Sequence, residues 1–107
     1  MDDQTYKKDA GKLQLSLVPV EGIRAVARVR EFGIRKYKDK KGYLKLDPQR
    51  LIDALYRHLL VVVEKGLFAK DEESGLPAIE HVACNALMLC EMLCVMKKKK
   101  RKKRKSI

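Results

Sequence analysis

Residues Lys97 to Lys105 read KKKKRKKRK, nine cations in a row directly behind an apolar segment. Such a run has nothing to bury and its charges repel one another, so it predicts a disordered basic tail over 97–107. It also divides the charge of the chain. There are 25 Lys and Arg against 14 Asp and Glu, a formal +11; without the run the balance is 16 to 14, or +2. The folding body is therefore nearly neutral, and what remains of 107 residues makes one small domain. Nine contiguous cations can also neutralise phosphates, which predicts non-specific nucleic-acid contact through residues 97–107.

Upstream, punctuation and periodicity predict an all-α fold: a compact bundle of three main helices over 19–96, preceded by an extended N-terminal arm over 1–18. The alternation Lys12-Leu13-Gln14-Leu15-Ser16-Leu17 has a strand's period but no partner strand, so it is read as an arm packing on the body. Pro19 suits the first turn of a helix and Glu21 its positive end. Ile23, Val26, Ala27 and Ile34 give the inner stripe of that helix, and Gly33 weakens its last turns. Asp47-Pro48 opens a second helix as N-cap and first residue, and Gly66 closes it. Its stripe of Leu51, Ala54, Leu55, His58, Leu59 and Val62 is widened by Ile52, Tyr56, Leu60 and Val63, which predicts a mostly buried helix. An acidic loop over 66–76 follows, and Pro77 marks a third helix that runs to about Met96 and is apolar almost all round.

Cys84, Cys90 and Cys94 show neither CxxC nor a Cys/His finger spacing, and are read as buried free thiols of a reducing compartment. Val82 to Met96 is 15 residues and includes Asn85 and Glu91, shorter than the roughly 20 apolar residues of a membrane span. No membrane role is expected. Residues 1–14 are polar and charged, unlike a signal peptide, and the expected location is cytoplasmic.

Polar residues on apolar helices need a reason, because an unpaired buried polar group costs roughly 1–3 kcal/mol. His58 sits inside the stripe of the second helix. His81 and Asn85 share a face of the third at i, i+4 spacing. Internal hydrogen bonding would satisfy any one of them. Two histidines and an asparagine aimed at one interior below an acidic loop point to a site. Arg57 lies off the His58 stripe, toward Asp53. Glu31 either pairs with Arg28 or Arg35 on a solvated face or serves the site, and Lys36 either complements the helix dipole or does the same. Glycine-rich phosphate loops, GxSxG, HExxH and EF-hand patterns are all absent.

Three pieces in order, KDAGKLQLSLVPVEGIRAVARVREFGIRKY, DALYRHL and DEESGLPAIEHVACNALML, cover about residues 8–94. With the KY, RHL, ESGLP and HxxxN elements each in place, this order resembles the N-terminal domain of phage dATP/dGTP diphosphohydrolases, grouped with MazG-type nucleotide pyrophosphohydrolases. The resemblance implies an all-α homo-oligomer that cleaves a purine deoxynucleoside triphosphate to monophosphate and pyrophosphate, using Mg²⁺ or Mn²⁺, in the bacterial host cytoplasm if phage-encoded. It casts His58, His81 and Glu31 as catalytic. Lys36, Arg57 and Asn85 become substrate-binding, and Glu31, Asp71 and Glu73 metal-binding. Carboxylate oxygen suits either ion, and histidine suits Mn²⁺ better. The chain departs from the wider group in lacking paired ExxE and ExxD motifs, a histidine near Ala78, and a Trp after the KY loop, where Gly42-Tyr43-Leu44 stands. Two other readings stay open: a non-catalytic helical oligomer, and a nucleic-acid-associated protein acting through its tail.

Overall fold

The computed structural model describes residues 10–105. Its three helices are α1 (Val20–Tyr37), α2 (Pro48–Lys65) and α3 (Ala78–Lys105), with short 3₁₀ turns at Leu15–Leu17 and Gly42–Lys45. No strand forms among the described residues; a single bridge pairs Lys70 with Pro77. Helix α3 is the centre of the bundle and packs against both α2 and α1.

The ends of α2 follow from local chemistry. The Asp47 side chain accepts a hydrogen bond from the Gln49 amide at 3.0 Å, with Pro48 behind it in the first turn. Gly66 stops the helix with φ at +97°, a conformation in which a side chain would be strained. α1 begins after Pro19 and ends where Lys38 turns left-handed, its amide bonded to the Ile34 carbonyl at 2.8 Å. Gly33 does not interrupt α1.

Burial is one-sided on every helix. The core residues among those described are Val29, Leu51, Ala78, Cys84 and Met92, with His81 and Asn85 beside them. On α1 the inner stripe is rotated from the expected one: Val26 and Val29 face inward, and Ile23 is 53% exposed. On α2 the expected widening holds at Ile52, which is half-buried, and fails at Tyr56, Leu60 and Val63, which face solvent. Cys84 lies on the inner face of α3 while Cys90 and Cys94 lie on the outer, so only one thiol is buried. Burial pushes the Cys84 thiol upward, with the Arg30 charge opposing.

The flanking segments also differ from expectation. Leu15–Leu17 form a 3₁₀ turn rather than an extended segment, and Leu13, Leu15 and Leu17 are exposed rather than packed on the body. The expected arm over 1–9 lies outside the described residues. At the other end, α3 does not stop near Met96 but carries the cations through Lys105 as helix. Lys and Arg are good helix formers, and lengthening an existing helix needs no new nucleus. By length and composition alone, α3 is also long and apolar enough to cross a membrane, through its segment ahead of the cations.

Side chains tie the elements together. Arg30 of α1 lies over the Tyr43 ring at 5.0 Å, donates to the Lys40 carbonyl and reaches Met88 Sδ on α3 at 3.6 Å. Arg28 donates to Glu80 Oε2 at 3.3 Å, linking α1 to α3, while Glu80 Oε1 is buried without a hydrogen bond.

Candidate functional site

The loop between α2 and α3 is built to hold a carboxylate still. Its neck is closed by Ala78 N–H to Ala69 O at 2.9 Å and Asp71 N–H to Leu76 O at 2.8 Å. Within it, Gly75 takes φ of +73° and its amide returns to the Asp71 carbonyl at 2.8 Å. Asp71 Oδ2 accepts the Ser74 amide at 2.9 Å, and Ser74 Oγ accepts the Leu76 amide at 3.1 Å. Asp and Ser are the residues whose short side chains bond nearby backbone in this way.

Two histidines meet that loop. The rings of His58 from α2 and His81 from α3 stack at 4.5 Å and 19°. Asp71 faces both, with Oδ1 3.8 Å from His58 Nδ1 and Oδ2 3.7 Å from His81 Nε2. These separations exceed a hydrogen bond, so the attraction is Coulombic. The short bond in the cluster joins Ser74 Oγ and His81 Nε2 at 2.7 Å. Phe32 of α1 closes the side with its ring 6.3 Å from His81, edge-on at 84°.

Serine, histidine and aspartate in contact suggest a nucleophilic triad, and the geometry excludes one. A relay needs the carboxylate on the imidazole nitrogen opposite the serine. Here Ser74 and Asp71 both approach Nε2 of His81. Ser74 anchors the ring.

The charges follow from the surroundings. Burial pushes the His58 pKa down from 6.5, His81 and Arg57 push the same way, and Asp71 opposes them. His58 is therefore largely neutral at pH 7. For Asp71, burial works upward but is outweighed by the Ser74 backbone and hydroxyl bonds and by both histidines, so its pKa falls below 3.8 and it stays ionised. The site thus pairs a fixed anion with a neutral imidazole.

The other expected residues divide. Asn85 is buried one turn after His81, and its amide makes no hydrogen bond to another described residue. Lys36, one turn after Phe32 on α1, pairs with Glu73 at the loop rim and lies over the Tyr37 ring at 5.0 Å. The Glu73 bond and then Tyr37 raise the Lys36 pKa. Arg57 is exposed and acts on His58 through charge. It makes no ion pair with Asp53, whose carboxylate accepts from Gln49 Nε2 at 2.9 Å.

Glu31 is not in this cluster. It lines a separate depression with Arg30, Ile34, Arg35 and Lys40, because it lies a hundred degrees around α1 from Phe32. The expected ligands Glu31, Asp71 and Glu73 are thus not brought together. Among the described residues no three or more His, Cys, Asp or Glu side chains are placed to hold one ion. Ser74 is the site residue that the sequence reading missed. Its signal was present in Ser74-Gly75-Leu76, a short hydroxyl before a left-handed glycine, where local side-chain-to-backbone bonds are common.

A family model described as dATP/dGTP diphosphohydrolase, N-terminal, matches residues 2–103. No curated protein and no solved structure matches the chain.

Proposed function

Because the chain belongs to the dATP/dGTP diphosphohydrolase N-terminal family, we propose that its histidine cluster hydrolyses a purine deoxynucleoside triphosphate to the monophosphate and pyrophosphate. The observation that supports this most is a neutral His58 stacked on His81 above an anchored, ionised Asp71, with the unbonded Asn85 amide alongside. In the proposed step a water oxygen attacks the α-phosphorus, the bond to the α,β-bridging oxygen breaks, and pyrophosphate leaves. His58 takes the water's proton through the ring nitrogen that does not face Asp71. Asp71 stabilises the imidazolium that results. Lys36 and Arg57, at the rim, hold phosphate oxygens, and the Lys36–Glu73 pair opens to admit them. Asn85 has the donor and acceptor to read a purine edge.

A Mg²⁺ or Mn²⁺ requirement belongs to the proposal as an ion carried in by the triphosphate, since Mg²⁺ commonly binds through one or two carboxylates plus substrate phosphates. The expected ligand set does not converge within one chain, and no step is assigned to the ion. A homo-oligomer belongs to it as well. The solvent face of α3 carries Ala83, Ala86, Leu87, Cys90, Leu93 and Cys94, a stripe edged by the exposed Glu91 and otherwise uncharged, of the kind that helix partners cover. Working on the nucleotide pool of a bacterial host cytoplasm during phage growth completes the reading.

The test is pyrophosphate release from dGTP and dATP with Mn²⁺. Turnover that falls at least 100-fold in His58→Gln with the fold intact is the expected result, in line with the usual contribution of a general base. No turnover of any of the four deoxynucleoside triphosphates by the folded protein overturns it. The bonds already made between Ser74 and His81 and between Lys36 and Glu73 favour one rival, a purely structural cluster. On that account His81→Gln lowers the melting temperature, and nucleotide with Mn²⁺ leaves the wild-type melting temperature unchanged.

A further inference from the structure

We infer that the C-terminal end of α3 is a sequence-independent binding element for double-stranded nucleic acid. The hydrolase reading does not use this segment. Helix α3 continues without interruption from the bundle through Lys105, and the side chains of residues 97–104 are all exposed. Among the described residues, no carboxylate forms an ion pair with Lys97–Lys102 or Arg104. The charge of these seven residues is therefore offered to a partner rather than spent within the fold.

Its spacing identifies the partner. At ~1.5 Å of rise per residue the helix presents one cation per ~1.5 Å, close to the one phosphate per ~1.7 Å of duplex axis. Nine residues make about two and a half turns, so cations surround the helix and about half of them face any one backbone. An anionic bilayer is the rival polyanion. A helix that lies within a lipid interface buries an apolar side among the acyl chains, whereas a basic run without one holds an anionic surface by charge alone. The run from Lys97 to Lys105 contains no apolar or aromatic residue and so has no such side. A continuous shell of lysine and arginine repeats one chemistry at every position and carries no varied set of donors and acceptors to match a base sequence. Phosphate contact dominates, and it tethers the domain to nucleic acid irrespective of sequence.

The experiment titrates the full chain against a fluorescent mixed-sequence 20-base-pair duplex from 50 to 200 mM NaCl. Contact with about four phosphates gives a slope of about −3.6 for log affinity against log salt, a loss of roughly 100-fold over that range. A variant carrying Lys97→Gln, Lys98→Gln, Lys99→Gln, Lys100→Gln, Arg101→Gln, Lys102→Gln, Lys103→Gln, Arg104→Gln and Lys105→Gln keeps good helix formers, leaves no cation on any side of the segment, and should lose nearly all of the slope and at least tenfold in affinity at 50 mM. His81→Gln should bind the duplex as the wild type does, which separates this inference from the hydrolase reading. A slope shallower than about −1 overturns the inference. So does unchanged binding by the nine-glutamine variant. Tighter association with vesicles containing phosphatidylserine than with the duplex also overturns it, and assigns the segment to membranes. Far-ultraviolet circular dichroism of each variant confirms that the body remains helical.

Discussion

Replacing Ser74 with alanine separates the loop from the histidines while leaving the rest of the site in place. The change deletes the 2.7 Å bond to His81 Nε2 and the acceptor of the Leu76 amide at 3.1 Å. It spares the Ser74 backbone amide that holds Asp71 Oδ2. Each lost bond contributes about 0.5–1.5 kcal/mol net. His81 is only 8% exposed, so its loss belongs at the upper end of that range. The Leu76 amide is half-buried and water can replace part of its bond, placing it at the lower end. The expected cost is about 2 kcal/mol. In a domain of this size that lowers the melting temperature by roughly 8–16 °C. Thermal and urea unfolding of wild type, Ser74→Ala and Ser74→Thr measure it. Threonine keeps the hydroxyl and should recover most of the loss. Alanine within about 0.5 kcal/mol of wild type, or threonine no better than alanine, refutes the assignment of Ser74 as the anchor.

The pH dependence of stability has a defined sign. His58 has a folded pKa below 6.5, so the unfolded chain binds more protons, and stability falls as pH drops below about 6.5 and levels off beneath the folded value. Asp71, depressed from 3.8, adds a second loss below about pH 3.8; chemical unfolding across pH 3–8 reads both, and a stability maximum near pH 5 contradicts the His58 environment. Asp71→Asn removes the one influence that raises the His58 pKa, so NMR titration should place His58 lower still in that variant. Asp47→Ala removes the cap of α2 and should cost about 1 kcal/mol without altering His58 titration. Leu51→Ala hollows the contact between α2 and the core and should cost about 2–4 kcal/mol in urea unfolding.

Much of the secondary structure was legible because helix ends are local events. Asp47, Pro48 and Gly66 bound α2 through bonds and torsions within a few residues, and the sequence shows all of them. The inward set of His58, His81 and Asn85 was legible for the same reason: polar groups on an apolar stripe stand out along one helix. The tail was misread because charge repulsion argued for disorder, whereas helix propensity and an existing nucleus at its N-terminal side favour helix. The widths of the stripes were misread because a three-helix body covers only one side of α2, leaving Tyr56, Leu60 and Val63 uncovered.

From the sequence alone came the all-α class, the family and the residues able to do chemistry, because composition, periodicity and motif order are properties of the chain itself. Partnerships were decided by tertiary structure. The stacking of His58 on His81, the selection of Asp71 over Glu31 and Glu73, the role of Ser74, and the exposure of Cys90 and Cys94 all depend on how each helix is rotated and on the path of the loop between α2 and α3. A one-residue step around a helix swings a side chain by about 100°, and no pattern within one helix records which neighbour waits at that angle.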